Sequence, residues 1–138
     1  MDATDVDSPL LRMIDFLNSG DVDSAMKLIA PDFEGEEVPH GGIIRGRDGV
    51  RAEAEGWAGL DGGQRISNVI VSGDRIVLEG VIGGTHSGQV TIGGEAFPPT
   101  GRHVEIRFCT IGTIRDGMVA REVHYYDMAA LRAQLSAR

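Results

Sequence analysis

Near its C-terminal end the chain reads R121-E122-V123-H124-Y125-Y126-D127, directly before M128-A129-A130-L131-R132-A133-Q134-L135. Asp127 admits two chemistries. As the residue ahead of a helix it is an N-cap, accepting backbone N–H bonds that favour its charged form. At the end of an apolar sheet face its charged form is disfavoured, and the carboxyl becomes a proton carrier. The histidines offer further candidates. His86 lies in G84-T85-H86-S87-G88 as a turn-stabilising residue or a group at a pocket rim, and His40 follows Pro39 in an exposed stretch or at a cavity mouth. Cys109 falls within an apolar strand pattern and reads as a small core residue. No His/Cys/Asp/Glu cluster has metal-ligand spacing, so no metal is expected.

Composition limits what these residues serve. With 138 residues the chain suits one domain over 8–138, with residues 1–7 as a disordered tail. The formal charge of −8 argues against polyanionic partners, and no basic stripe with interleaved aromatics points to nucleic acid. A single cysteine fits a reducing compartment. No apolar run approaches a membrane span, and the acidic N-terminus lacks a signal-peptide pattern, so a cytoplasmic location is expected. The scattered glycines match no phosphate-loop or dinucleotide fingerprint, and no cofactor is expected.

The elements that position the candidates follow from periodicity. Ser8-Pro9 starts a helix with Leu10, Met13, Ile14 and Leu17 on one face, ending at Gly20. A second helix starts at Asp21 and stops at Pro31, and residues 32–40 read as a weak strand. Asp48 caps a third helix with Val50, Ala54 and Trp57 inward, although Gly49 and Gly56 are poor helix formers. From Gln64 the period becomes two, with one hairpin at Gly73-Asp74 and another at Asp116-Gly117. Between them residues 85–101 read as a loop or broken edge strand. Helices first and antiparallel strands after make the fold α+β, a curved sheet closed on one side by helices.

A two-residue turn at Asp116-Gly117 sets Arg115 opposite Met118, Ile114 opposite Val119, Phe108 opposite Tyr125 and Ile106 opposite Asp127. One face then holds Ile106, Phe108, Val123, Tyr125 and Asp127, and the other holds Cys109, Glu122, His124 and Tyr126. The first is apolar and is expected to be buried. His124 is expected at a dimer interface or in solvent. Trp57 and Tyr125 are candidates for an aromatic wall, with core packing an equal role for Trp57.

The order of elements, with the phrases F16-L17-N18-S19-G20-D21, G46-R47-D48-G49-V50, G84-T85-H86-S87-G88, P98-P99-T100-G101-R102 and R115-D116-G117-M118-V119 running to Y126-D127 and Q134-L135, resembles the SnoaL-like polyketide cyclases of the NTF2-like superfamily. The resemblance spans roughly residues 8–136. It implies a cone: a strongly curved, mixed or antiparallel sheet wrapped around the N-terminal helices, with an internal cavity and a homodimer through the outer face. It also implies metal- and cofactor-free aldol ring closure of a hydrophobic polyketide, with Asp127 as general acid/base. Tyr125 or His86 would then stabilise the enolate, and Trp57, His40, Phe108, Ile106 and Val123 would line the ligand site.

The sequence also departs from the family. The histidine that assists the cyclase aspartate is missing near Thr113. Arg107 is followed by Cys109 rather than the carboxylate of an epoxide hydrolase. For the second carboxylate of a steroid isomerase, Glu34, Glu36 and Glu37 are all present and nothing selects among them. Epoxide opening, isomerisation and ligand binding without turnover remain alternative functions on this scaffold.

Overall fold

The computed structural model describes residues 6–136; part of the expected N-terminal tail, residues 1–5, lies outside them. Helix α1 (Pro9–Asn18) starts as its sequence predicts: the Ser8 side chain accepts from Leu10 N, and Pro9 occupies the first turn. Helix α2 (Val22–Met26) is a single short stretch capped by Asp21. Pro31 does not stop it; the chain has already turned into strand β1 (Ile29–Glu37). Proline lacks a ladder donor, and the pairing of β1 shifts register between Ile29 and Glu34.

Strand β2 (Gly42–Arg45) precedes α3 (Gly46–Trp57). Asp48 lies in the first turn of α3 and is not its cap; that position belongs to Arg45, whose side chain makes no capping bond. The two interior glycines of α3, Gly49 and Gly56, are contact points rather than defects. A β-carbon on Gly56 would lie 2.4 Å from the Thr91 carbonyl oxygen, and one on Gly49 would lie 3.0 Å from Ile44 Cγ2. Strands β3 (Gly63–Ser72) and β4 (Arg75–Thr85) form the first long hairpin. The glycine-rich segment folds into a small hairpin of β5 (Val90–Ile92) and β6 (Glu95–Phe97). Strands β7 (His103–Arg115) and β8 (Met118–Tyr126) lead into α4 (Met128–Leu135).

The main sheet is curved, with order β2-β1-β8-β7-β4-β3. It is mixed, because β1 runs parallel to β8 while its other pairings are antiparallel. Two apolar clusters fill its concave side. One joins α1 and α2 to Phe33, Ile76, Leu78 and Val119. The other joins α4 and the β5–β6 hairpin to Leu60, Val104 and Ile106. Among the described residues no helix is long and apolar enough to cross a membrane.

The β7–β8 hairpin turns at Asp116-Gly117, both with positive φ, and Arg115 pairs with Met118 as expected. The expected register then fails. Ala120 is an extra residue on β8, so Thr113 pairs with Arg121, Ile111 with Val123, and Phe108 with Tyr126. A bulge exchanges the faces of everything beyond it. Glu122, His124 and Tyr126 therefore point inward, whereas Val123 and Tyr125 lie on the outer face. Cys109 pairs with Tyr125 on that outer face and is only partly buried, so it is not a core residue.

Candidate functional site

The inward turn of β8 brings polar groups to a place that sequence alternation reserves for apolar ones. Glu122 and Glu37 are buried, at 4% and 3% exposure, and Thr110 is buried beside them. Their strands explain the meeting. In the parallel β1–β8 pair, Glu37 sits beside His124 and Gly35 beside Glu122; in β7–β8, Thr110 sits opposite His124. His124 joins the three: Nδ1 lies 2.8 Å from Thr110 Oγ1, while Nε2 lies 3.3 Å from Glu122 Oε2 and 3.8 Å from Glu37 Oε1.

From the opposite side α3 contributes Glu53 and Trp57, one helical turn apart. The Trp57 indole Nε1–H donates to Glu53 Oε1 at 2.9 Å, and the Trp57 ring meets Tyr126 edge-on with centroids 5.6 Å apart. Glu53 is close enough to Glu37 for its charge to act on the Glu37 carboxyl. The Tyr126 hydroxyl is buried near Glu37 and makes no hydrogen bond.

These surroundings set the protonation of the cluster. Burial, then the negative charges of Glu53 and Glu122, push the Glu37 carboxyl up to about 9. Its surroundings thus favour the protonated form of Glu37. Burial also raises Glu122, against an opposing pull from His124. Burial and the neighbouring carboxylates raise the Tyr126 hydroxyl, keeping it a hydrogen-bond donor.

Glu37 and Glu53 both line a cleft of about 540 Å³ between β2, α3 and the β5–β6 hairpin, within the usual size range of small-molecule sites. His40 forms part of its wall. The imidazole Nδ1 accepts from Gly42 N at 3.2 Å, and the ring fits between Gly42 and Gly93, where β-carbons would come within 2.6 and 2.9 Å of it. Among the described residues, no group of three or more His, Cys, Asp or Glu side chains is arranged to hold a metal ion.

The residues expected to act together are dispersed. Asp127 is exposed and caps α4, its Oδ1 accepting from Ala130 N at 3.0 Å; it does not end the buried face or oppose Ile106. Tyr125 is on the outer face, 43% exposed, and Val123 shares that face. His86 is fully buried, with Nε2 3.2 Å from the Phe97 carbonyl and Nδ1 3.1 Å from Thr100 Oγ1. A carbonyl only accepts, so Nε2 carries the proton and Nδ1 accepts from the Thr100 hydroxyl. Both ring nitrogens are engaged in holding the loop after β6.

Ile106 is buried in the cluster against which Trp57 and Tyr126 pack, and Phe108 shares its inward face opposite Tyr126. Of the expected residues, His40 lines the carboxyl-bearing cleft and Trp57 reaches it through Glu53. The groups that sequence reasoning missed are Glu53, Glu122, His124, Tyr126 and Thr110, with Glu37 unselected among three glutamates. One available signal was the period-two set Glu122, His124, Tyr126, a polar alternation able to line a cavity as readily as it faces solvent.

A profile of the SnoaL-like polyketide cyclase family matches residues 9–135. Among solved structures, a protein provisionally assigned as a SnoaL-like polyketide cyclase from Jannaschia sp. CCS1 is 24% identical, with a TM-score of 0.80 over 94% of this chain and 90% of that one. IdmH of Streptomyces antibioticus, provisionally assigned as a polyketide cyclase, is 26% identical with a TM-score of 0.74 over 92% and 95%. TerC, co-crystallised with polyporic acid, is 20% identical with a TM-score of 0.71 over 92% and 95%. No curated protein sequence matches the chain.

Proposed function

The chain belongs to the SnoaL-like polyketide cyclase family, and from that premise we propose that it closes a ring in a polyketide-like small molecule by acid/base catalysis centred on Glu37. The observation that carries this reading is a buried carboxyl, Glu37, that shares the wall of a ligand-sized cleft with a second carboxyl, Glu53. Burial raises the proton affinity of Glu37, which suits it to give up a proton as an acid near neutral pH.

In an aldol closure Glu53 takes the proton from an activated C–H. The resulting enolate carbon bonds to a ketone carbon elsewhere in the same molecule, and Glu37 gives its proton to that ketone oxygen, which becomes a hydroxyl. The net change moves one proton from carbon to oxygen. Transfer between the two carboxyls returns the proton to Glu37. Glu122, His124 and Thr110 hold Glu37 from behind, and Tyr126 donates to it while it is ionised.

Asp127, the proton carrier implied by the resemblance, would have to leave the α4 cap to serve this role, and we assign the role to Glu37 instead. The test uses a synthetic poly-β-ketoester as probe. Glu37→Gln is expected to lower turnover by about 10²- to 10⁴-fold, while Asp127→Asn retains most of it. Loss with Asp127→Asn and full activity with Glu37→Gln would return the role to Asp127. Binding without conversion by the wild-type protein would favour a carrier. Turnover of an epoxide or an enone in place of the ketoester would favour hydrolysis or isomerisation.

We also propose that the chain forms a homodimer through the outer sheet face. A row in register across the sheet runs Ile70, Val77, Ile111, Val123, Glu36, Ile43. Ile70 and Ile43 are 56% and 49% exposed. The next row holds Arg75, Arg121, Glu34 and Arg45, both signs together, as a face pairing with its own copy needs.

A further inference from the structure

The charge on the cleft wall has one sign. Along α3 the residues Gly49, Ala52, Glu53 and Gly56 meet the cleft at helical spacing, so Glu53 is the one long side chain of that stripe. Glu55 stands at its flank, and Glu37 joins the wall from the end of β1. The two basic residues of the wall offer no countercharge. Arg45 pairs with Glu34 at 2.9 Å. His40 Nδ1 accepts from Gly42 N, and because a backbone N–H only donates, that bond selects the neutral ring. Among the described residues three carboxyls thus line the cleft with no unpaired cation, in a chain of formal charge −8.

Glu37 carries the matter beyond a count of charges. It is only 3% exposed, it lines the cleft, and its carboxyl makes no hydrogen bond among the described residues; the basic atom paired with it, His124 Nε2, is 3.8 Å away. A buried acceptor without a donor is costly, and native folds seldom leave one so. Glu53 is half satisfied: Oε1 takes the Trp57 indole N–H at 2.9 Å, which leaves Oε2 for another donor.

We propose that the cleft binds a small organic cation, a protonated amine, with Glu53 as its countercharge and Glu37 as a second acceptor for its N–H groups. The inference goes beyond the acid/base reading, which leaves the charge of the ligand open. A carboxyl accepts through its carbonyl oxygen even when protonated, so the contact with Glu37 does not depend on its charge. An ammonium group needs several acceptors in reach and no fixed coordination geometry. These carboxyls meet that need, whereas among the described residues no group of side chains is arranged to hold a metal ion. A cleft walled by one sign of charge also concentrates ions of the other sign.

Trp57 is the single tryptophan of the chain and is bonded to Glu53, so its fluorescence reports on this wall. The test titrates the protein with three probes of one shape: 2-phenylethylammonium, 2-phenylethanol and phenylacetate. The ammonium probe is expected to give a saturable change, weakened by added salt, and to bind at least about tenfold more tightly than the alcohol. Phenylacetate is expected to bind more weakly than either. Glu53→Gln keeps an oxygen for the indole N–H and should lower the affinity for the ammonium probe about tenfold while leaving the alcohol unchanged. Glu55→Gln should lower it by a smaller factor, and melting curves confirm that both variants fold. Absence of a saturable change with the ammonium probe, equal affinity for the alcohol, tighter binding of phenylacetate, or an ammonium affinity indifferent to Glu53→Gln would each overturn the proposal. Should Glu53→Gln not fold, the ranking of the three probes on wild type decides. None of these outcomes bears on ketoester turnover, which tests the acid/base reading separately.

Discussion

Glu122 and His124, two residues apart on β8, meet on the inner wall with carboxylate and imidazole 3.3 Å apart. Both face the interior because Ala120 bulges out of the ladder. The pair is tied to β7 through Thr110 and to β1 through Glu37, so one histidine links three strands.

Replacing His124 with Phe leaves Glu122 buried without its basic neighbour. Breaking a buried pair in this way is expected to cost about 3 kcal/mol in chemical denaturation. Doubling the change as His124→Phe with Glu122→Leu should recover much of that loss, because the buried charge goes with its partner. Equal loss in both proteins would contradict the pairing.

The pH dependence of stability follows from Glu37. Its carboxyl rises from an ordinary 4.5 in the open chain to about 9 in the fold, so the native state binds the extra proton between those values. Its contribution is complete below about pH 4.5 and is lost as pH rises toward 9, by at most about 1.4 kcal/mol per pH unit. Thermal melting from pH 5 to pH 9 should show wild type weakening steadily, with a flatter profile for Glu37→Gln. Parallel profiles would contradict the raised carboxyl.

Asp127 accepts the Ala130 N–H as the cap of α4. Asp127→Ala should cost about 1 kcal/mol of stability, and Asp127→Asn or Asp127→Ser should cost less, since both side chains can cap. Denaturant midpoints order the three variants. A cap role predicts that order, whereas a stabilising Asp127→Ala would contradict it.

The proposed dimer is tested by a charge at the centre of its apolar row. Val123→Glu should convert a dimer into a monomer in light scattering at micromolar concentration, with the fold intact by circular dichroism. A wild-type monomer, or a dimer indifferent to Val123→Glu, would contradict the assignment of that face.

Much of this architecture can be read in the sequence, and the places where it cannot are informative. Ser8-Pro9 and Asp116-Gly117 carry their own local chemistry, and both behave in the fold as that chemistry dictates. Ala120 carries none: an alanine in a strand gives no sign of a bulge, yet it determines the face of every residue from Arg121 to Tyr126. The rule that apolar residues face inward then misleads, because this sheet lines its interior with Glu122, His124 and Tyr126 and exposes Tyr125. Residues 32–37 look too polar for a central strand for the same reason. Glu37 differs from Glu34 and Glu36 in nothing but register, and register comes from a parallel pairing with β8, distant in the chain. The order of phrases along the chain was enough for the family and the fold. It was not enough for the site.

The central claim is that Glu37 holds a proton at neutral pH. The most direct measurement is the carboxyl-carbon NMR titration of Glu37 in the wild-type protein, its resonance assigned by its loss in Glu37→Gln. The account predicts a midpoint near 9. A midpoint near the ordinary 4.5 would contradict it.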